Sequence, residues 1–210
     1  FGEKPFYYAI GNNGEFIFAS EIKAILATGL VEKELNDEAL NHYLRHMYVD
    51  SQQSIYKNIK VLPPESQLIY QNGEISISQY WDFPLEESKL SEEEIYSKFQ
   101  ELVENSVEKQ LIADVKVGAF LSGGLDSGTL VALSSRQNKN LETLGFKYEG
   151  ELDEMPEARS IAKKYNTDQT EISIKKEEIV EVLKKVLSKL DEPVEDTAIR
   201  ATYTMCEAAA

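Results

Sequence analysis

Cysteine is nearly missing from this sequence, and so is any surplus of positive charge; each shortage removes a class of protein. The single Cys206 cannot form an internal disulfide, which excludes a disulfide-stapled fold and points to a reducing compartment, the cytoplasm. Lys and Arg number 22 against 37 Asp and Glu, for a formal net charge of −15. Nucleic acid is therefore not an expected partner, because phosphate backbones are bound by a basic surplus. Nor is docking on an anionic membrane surface. No apolar run reaches the roughly 20 residues that a membrane span requires. The opening Phe1-Gly2-Glu3-Lys4-Pro5 has neither an initiator Met nor a signal-peptide pattern, so the sequence reads as the interior of something longer. What is present is core-forming material, 42% hydrophobic residues in a length of 210 that fits one domain or two small ones.

Two rhythms follow one another along the chain. In residues 1–83, β-prone runs flank Gly11-Asn12-Asn13-Gly14 and again Asn72-Gly73, the signature of two hairpins. Between them Ser20 precedes a short helix over Glu21–Leu26 that Gly29 can end, and Asn36 opens another with Leu40, Tyr43, Leu44 and Met47 at helical spacing. Residues 84–91 are polar and acidic and read as a linker. Over residues 92–210 strands alternate with helices. Ser91 and Glu94 form a capping box for a long helix with Ile95, Phe99, Leu102, Val103, Val107 and Leu111 on one face. A strand over Val115–Leu121, a helix over Thr129–Arg136 and a strand over Leu141–Phe146 come next. A helix over Glu154–Tyr165, a strand over Gln169–Ile174 and helices over Lys175–Leu190 and Thr202–Ala210 complete the series. This alternation predicts an α/β fold, a parallel sheet with helices on both faces. Ligands of such sheets sit at the carboxyl ends of the strands.

Chemistry concentrates at Ser122-Gly123-Gly124-Leu125-Asp126-Ser127, between a strand and a helix. Two glycines permit positive φ and close backbone approach. Successive amides can then converge on an anion, helped by the helix N-terminus. Ser122 and Ser127 add hydroxyl donors. Asp126 would repel phosphate unless a divalent cation lay between them, so the set points to ATP with Mg²⁺. Gly-Gly alone is ordinary turn punctuation; the full six-residue run in a strand–loop–helix setting is the stronger signal. It is not a Walker A loop, since no Gly-Lys-Ser/Thr follows.

At these residues the chain resembles the ATP-pyrophosphatase superfamily. Ala113-Asp114-Val115-Lys116-Val117-Gly118-Ala119-Phe120-Leu121 narrows the resemblance to glutamine-hydrolysing asparagine synthetases. Phe1–Tyr8 and Phe18–Ala24 resemble the closing part of that family's N-terminal-nucleophile glutaminase domain, and Leu62-Pro63-Pro64 and Tyr80-Trp81 its bridge. Asp191-Glu192-Pro193, Asp196 and Thr197-Ala198-Ile199-Arg200 resemble the stretch before its second ATP-contacting loop. Lys116, Gly128 and Glu65 depart from the usual Pro, Ser/Ala and Gly. The resemblance implies an ATP- and Mg²⁺-dependent amide ligase acting on small molecules (ATP, aspartate and ammonia from glutamine), with a homodimer as one assembly. A relative acting on a sugar acid or another carboxylate, and a nucleotide-binding module without turnover, remain alternatives.

The resemblance also implies that the backbones of Leu121 and Leu144 contact adenosine, although both are ordinary core-strand residues by pattern. It places Leu125 in the ATP loop. Arg200 is either a substrate or phosphate contact or a surface Arg. Asp191, Glu192 and Asp196 suit a solvated acidic helix end better than a metal. His42 and His46 have the spacing of a metal pair but lack a third ligand nearby. The family's nucleophilic cysteine is N-terminal, so Cys206 is expected to be a packing residue.

Overall fold

Residue alternation sorts the first hairpin into an inward and an outward face. A computed structural model describes residues 2–147, 153–196 and 198–210; Phe1 and Thr197 of the stretches quoted above lie outside them. Strand β1 (Tyr7–Ile10) pairs antiparallel with β2 (Phe16–Ala19), Tyr7 opposite Ala19 and Ile10 opposite Phe16. The turn includes Gly14 at φ +88°, a conformation glycine adopts without steric cost. Ala9 points inward against Ile22, Ile25, Val31 and Ile59. Ile22 and Ile25 belong to helix α1 (Ile22–Ala27), after which Gly29 turns the chain at φ +68°. Ser20 does not cap this helix. The N-cap residue is Glu21, whose side chain does not cap the helix, and the amides of Ile22 and Lys23 donate instead to the distant Asp191 at 2.7 and 3.2 Å.

Helix α2 (Asp37–His46) carries its own cap, Asn36 Oδ1 accepting from the amides of Glu38 and Ala39 at 3.1 and 3.3 Å. Its buried residue is Ala39; Leu44 and Met47, on the face the spacing marks as apolar, are exposed. Strand β3 (Lys60–Val61) is too short to show a period, and pairing with β1 gives the order β2-β1-β3. Strands β4 (Ser66–Gln71) and β5 (Glu74–Gln79) form the second hairpin. Asn72 and Gly73 close it at φ +53° and +85°, the two positive-φ positions of a type I′ turn. Glu65, where the resembling family commonly has Gly, sits at φ +55°, left-handed geometry that costs a side-chain-bearing residue about 1–2 kcal/mol.

Residues up to Glu86 together with Lys189–Asp196 make one unit, and Glu87–Ser188 with the residues from Ala198 onward make another. Lys189–Asp196 thus return to the first unit, and local pattern carries no sign of a segment that returns. Helix α3 (Glu92–Gln110) opens with the predicted capping box, Ser91 Oγ accepting from the Glu94 amide at 3.3 Å and Glu94 Oε2 from the Ser91 amide at 2.7 Å. Of its apolar stripe Val107 is buried, while Ile95, Phe99 and Leu102 are exposed.

Strand β6 (Gly118–Phe120) is shorter than its apolar run, with Val115 outside it and exposed. Helix α4 (Leu125–Gln137) starts four residues before the predicted Thr129. Then come β7 (Glu142–Phe146), α5 (Met155–Tyr165) and β8 (Asp168–Ile172). The strands are parallel in the order β6-β7-β8, Gly118 level with Glu142 and Glu142 with Asp168. Leu121, Val131, Leu141, Met155, Ala158 and Ala162 form the core between sheet and helices. The predicted helix over Lys175–Leu190 divides into a 3-10 turn (Lys176–Glu178) and α6 (Ile179–Lys189). Helix α7 (Ile199–Ala209) packs on β7 and β8. The second unit is therefore a parallel α/β sheet with helices.

Candidate functional site

Burial of Leu121 anchors the loop. Its side chain is 2% exposed, and its amide donates to the Leu144 carbonyl at 2.8 Å. From there Ser122, Gly123 and Gly124 cross to α4, so Leu125, Asp126 and Ser127 form the helix's first turn rather than loop. The two serines brace the crossing. The Ser122 amide donates to Ser127 Oγ at 3.1 Å, the Gly124 amide donates to Ser122 Oγ at 3.1 Å, and the hydroxyls stand 2.9 Å apart. These donors hold the loop instead of converging on one outside point. A helix leaves its first amides without an internal partner. Helix α4 has no side-chain cap, and Gly128 makes the bond to the Gly124 carbonyl at 3.1 Å. The first turn of α4 is thus the part of the motif whose amides are left without a side-chain partner.

Neither loop glycine has positive φ; Gly124 lies at φ −76°, ψ 158°. The conformational reason for two glycines falls away and a spatial one replaces it. A Cβ on Gly123 would lie 2.7 Å from Glu157 Cβ, whereas one on Gly124 would meet only Ser122 Oγ, at 3.2 Å. Asp126 is exposed in the helix's first turn, where a carboxylate also complements the helix dipole. Among the described residues no three His, Cys, Asp or Glu side chains gather into a metal cluster. One carboxylate beside hydroxyls does fit Mg²⁺, which is commonly held by one or two carboxylates together with substrate phosphates and water.

Beside the loop lies a cavity of about 520 Å³ at the carboxyl ends of β6 and β7. Ser122, Ser127 and Glu154 form its polar side, and Phe120, Phe146, Met155 and Met205 are the larger apolar lining residues. Ala198, Ala201 and Thr202 add the wall nearest α7, and the Thr202 hydroxyl is occupied by the Ala198 carbonyl at 3.1 Å. Leu144 is not among the lining residues; it lies within β7 with its carbonyl bonded to Leu121. Arg200 is half-buried on α7 and also outside the lining, whereas its neighbour Ala201 belongs to it. Sequence reasoning missed the α7 wall. Positions 198, 201, 202 and 205 have the spacing of one helical face, and that signal was available.

The other candidates take different roles. Asp191 caps α1, and Glu192 accepts from the Ile55 amide at 2.7 Å, so neither is a solvated helix end. The rings of His42 and His46 are 4.4 Å apart; His42 Nδ1 is 3.1 Å from the Tyr48 carbonyl and Nε2 is 3.9 Å from Asp50. Cys206 is exposed, not packed.

Fold and loop together define a class, parallel α/β units with a Ser-Gly-Gly-Leu-Asp-Ser crossing from strand to helix. Residues 98–210 match the asparagine synthase family model, and residues 1–81 match a glutamine amidotransferase domain. The chain belongs to the asparagine synthase family. A Methanocaldococcus jannaschii protein named "Putative asparagine synthetase (glutamine-hydrolyzing) 2" is 33% identical over 214 residues, covering 99% of this chain. Asparagine synthetase (glutamine-hydrolyzing) 1 of Bacillus subtilis is 28% identical over 212 residues, covering 100%. Amidase chry2 of Gibberella zeae is 31% identical over 153 residues, 69% of this chain and 22% of that protein. The chain spans 41% and 33% of the first two relatives' lengths.

Proposed function

We propose that this chain supplies the nucleotide-binding part of an ATP-dependent amide ligase that makes asparagine from aspartate and glutamine-derived ammonia. In this reading the side-chain carboxylate of aspartate attacks the α-phosphate of ATP, giving β-aspartyl-AMP and pyrophosphate. Ammonia then displaces AMP. The observation that carries the proposal is the uncapped first turn of α4, standing with the braced Ser122 and Ser127 beside the cavity. The amides of Leu125, Asp126 and Ser127 would donate to the phosphates, with Ser122, Gly123 and Gly124 setting the loop's shape. Asp126 would hold Mg²⁺, which supplies charge neutralisation on the leaving pyrophosphate. The apolar lining, between Leu121 and Phe146, suits the adenosine end.

The same reading takes the second unit as an ATP-pyrophosphatase sheet covered on both faces, preceded by the β-rich end of an N-terminal-nucleophile glutaminase domain. Its partners are small molecules, its assembly a homodimer, and its place the cytoplasm. A second reading keeps the same loop and changes the acceptor, an amidotransferase acting on another carboxylate. An acceptor screen separates the two.

Pyrophosphate release measured against Mg²⁺ concentration, beside thermal melts, tests the loop. Gly124 has extended backbone, and a Cβ there would meet only the Ser122 hydroxyl, so Gly124→Val should fold yet block phosphate approach and abolish turnover in the intact protein. Asp126→Asn should lower turnover and raise the Mg²⁺ requirement. Full activity in a folded Gly124→Val protein would sink the assignment.

A further inference from the structure

Gly123 and Gly124 are neighbours that are glycine for different reasons. The single atom a Gly124 side chain would crowd is Ser122 Oγ, the end of a side chain that can rotate. A Cβ on Gly123 would lie 2.7 Å from Glu157 Cβ, 3.1 Å from the Glu154 carbonyl oxygen and 3.3 Å from Glu154 Cβ. None of these atoms can swing aside by a rotamer change, because each is backbone or bonded directly to it.

Helix α5 is fixed at several points and cannot easily retreat. Met155, Ala158 and Ala162 are 1%, 0% and 4% exposed. Met155 Sδ and Cε fill the space over Gly145, 3.0 Å from where a Cβ would stand, and Ile161 Cδ1 does the same over Gly128 at 3.1 Å. Arg159 donates from Nε and Nη2 to both carboxylate oxygens of Glu171 on β8, at 2.6 and 2.7 Å. When a side chain is added at Gly123, the loop is the part that moves.

We propose that Gly123 is a positioning residue whose bare backbone seats the loop on the first turn of α5, and that this seat fixes where Ser122, Ser127 and the first amides of α4 stand beside the cavity. The proposal rests on the nucleotide reading above and adds to it a contact made to protein, not to ligand. Glu154 joins the two regions, since it abuts Gly123 and lines the cavity with both serines. Relieving the 2.7 Å approach takes a shift of roughly 1 Å, and such a misplacement of reacting groups can cost on the order of 100-fold in rate.

Glu157 provides the discriminating partner, because Glu157→Gly removes the opposing Cβ and leaves the cavity lining intact. In the intact protein, pyrophosphate release from ATP and the thermal midpoint are measured for wild type, Gly123→Ala, Glu157→Gly and the double variant. Gly123→Ala is expected to lose about 100-fold in kcat/KM for ATP, mostly in kcat. Glu157→Gly alone should stay near wild type in kcat, and the double variant should recover a measurable part of the loss, the 3.1 Å approach to the Glu154 carbonyl oxygen being left in place. If Gly123→Ala folds poorly, the midpoint decides: the double variant must melt higher than Gly123→Ala although Glu157→Gly by itself melts lower. Wild-type activity in Gly123→Ala, or no recovery in either readout, overturns the proposal. A wild-type protein that releases no pyrophosphate sinks the nucleotide reading. In that case midpoint recovery still upholds the seat, and its absence overturns it.

Discussion

Glu192 shows how the surroundings of one carboxylate set a pH dependence. Its Oε1 accepts from the Ile55 amide at 2.7 Å, and Tyr7 donates to Oε2 at 3.4 Å. Burial raises its pKa above the ordinary carboxylate value, outweighing the bonds from Ile55, Tyr7 and Ser54 that favour the charge. Burial, followed by the charge of Glu192, pushes Tyr7 up to about 12. A raised folded pKa means that the folded chain keeps the proton longer than the unfolded one. Stability is therefore lost as pH rises from the ordinary carboxylate value of 4.5 through the folded pKa of Glu192. Glu192→Gln cannot titrate. Melting both proteins at pH 4, 5.5 and 7 should show the difference moving in favour of Glu192→Gln as pH rises; a constant difference would contradict the shift. Sequence alone reads Asp191-Glu192 as an acidic helix end, because partners 137 and 169 positions away leave no local trace.

At the scale of elements, legibility followed the range of the deciding interaction. Helices α2 and α3 were readable at their starts because Asn36 and the Ser91–Glu94 box act within three residues. The turn at Asn72-Gly73 was readable because positive φ belongs to those two residues themselves. Helix α1 is legible as an element but its cap is not, since its first amides are satisfied from residue 191. The loop motif was found by its residue types, yet the reason for its glycines was not, because Gly123 answers to Glu154 and Glu157 on α5. The α1 cap gives an element-scale prediction. Asp191→Ala leaves two amides without their acceptor and should cost about 1 kcal/mol, a melting shift of about 2–4 °C for a chain of this size. Asp191→Asn keeps one acceptor oxygen and should fall between. Amide exchange over Ile22–Ala27 should quicken in step, and unchanged exchange in Asp191→Ala would show that the cap contributes nothing.

For the whole molecule the informative segment is the linker proposed at residues 84–91. Every residue from Asp82 to Ser91 is exposed, and the hydrogen bonds there are local, such as Phe83 N to Asp82 Oδ1 at 2.7 Å and Leu90 N to Ser88 Oγ at 3.3 Å. Exposed polar segments of this kind are preferred sites of proteolytic nicking. Limited trypsin treatment should therefore cut first after Lys89, leaving a C-terminal product that begins near Ser91. The return of Lys189–Asp196 to the first unit changes what happens next. That segment is held by Asp191 on α1, by Glu192 on Ile55, by Lys23 Nζ on the Lys189 carbonyl at 2.7 Å and by the Glu195 amide on the Met47 carbonyl at 3.0 Å. Because it is covalently part of the C-terminal product, a nicked chain should run as one species on size exclusion in native buffer. It should separate into two under urea. The pair Asp191→Ala and Glu192→Ala removes the side-chain anchors while leaving the linker untouched, so the same nick should then release the pieces at lower urea. Native separation of the wild-type pieces would mean that the segment does not hold to the first unit. A first cut inside residues 115–130 would contradict the strand–loop–helix arrangement on which the candidate site depends.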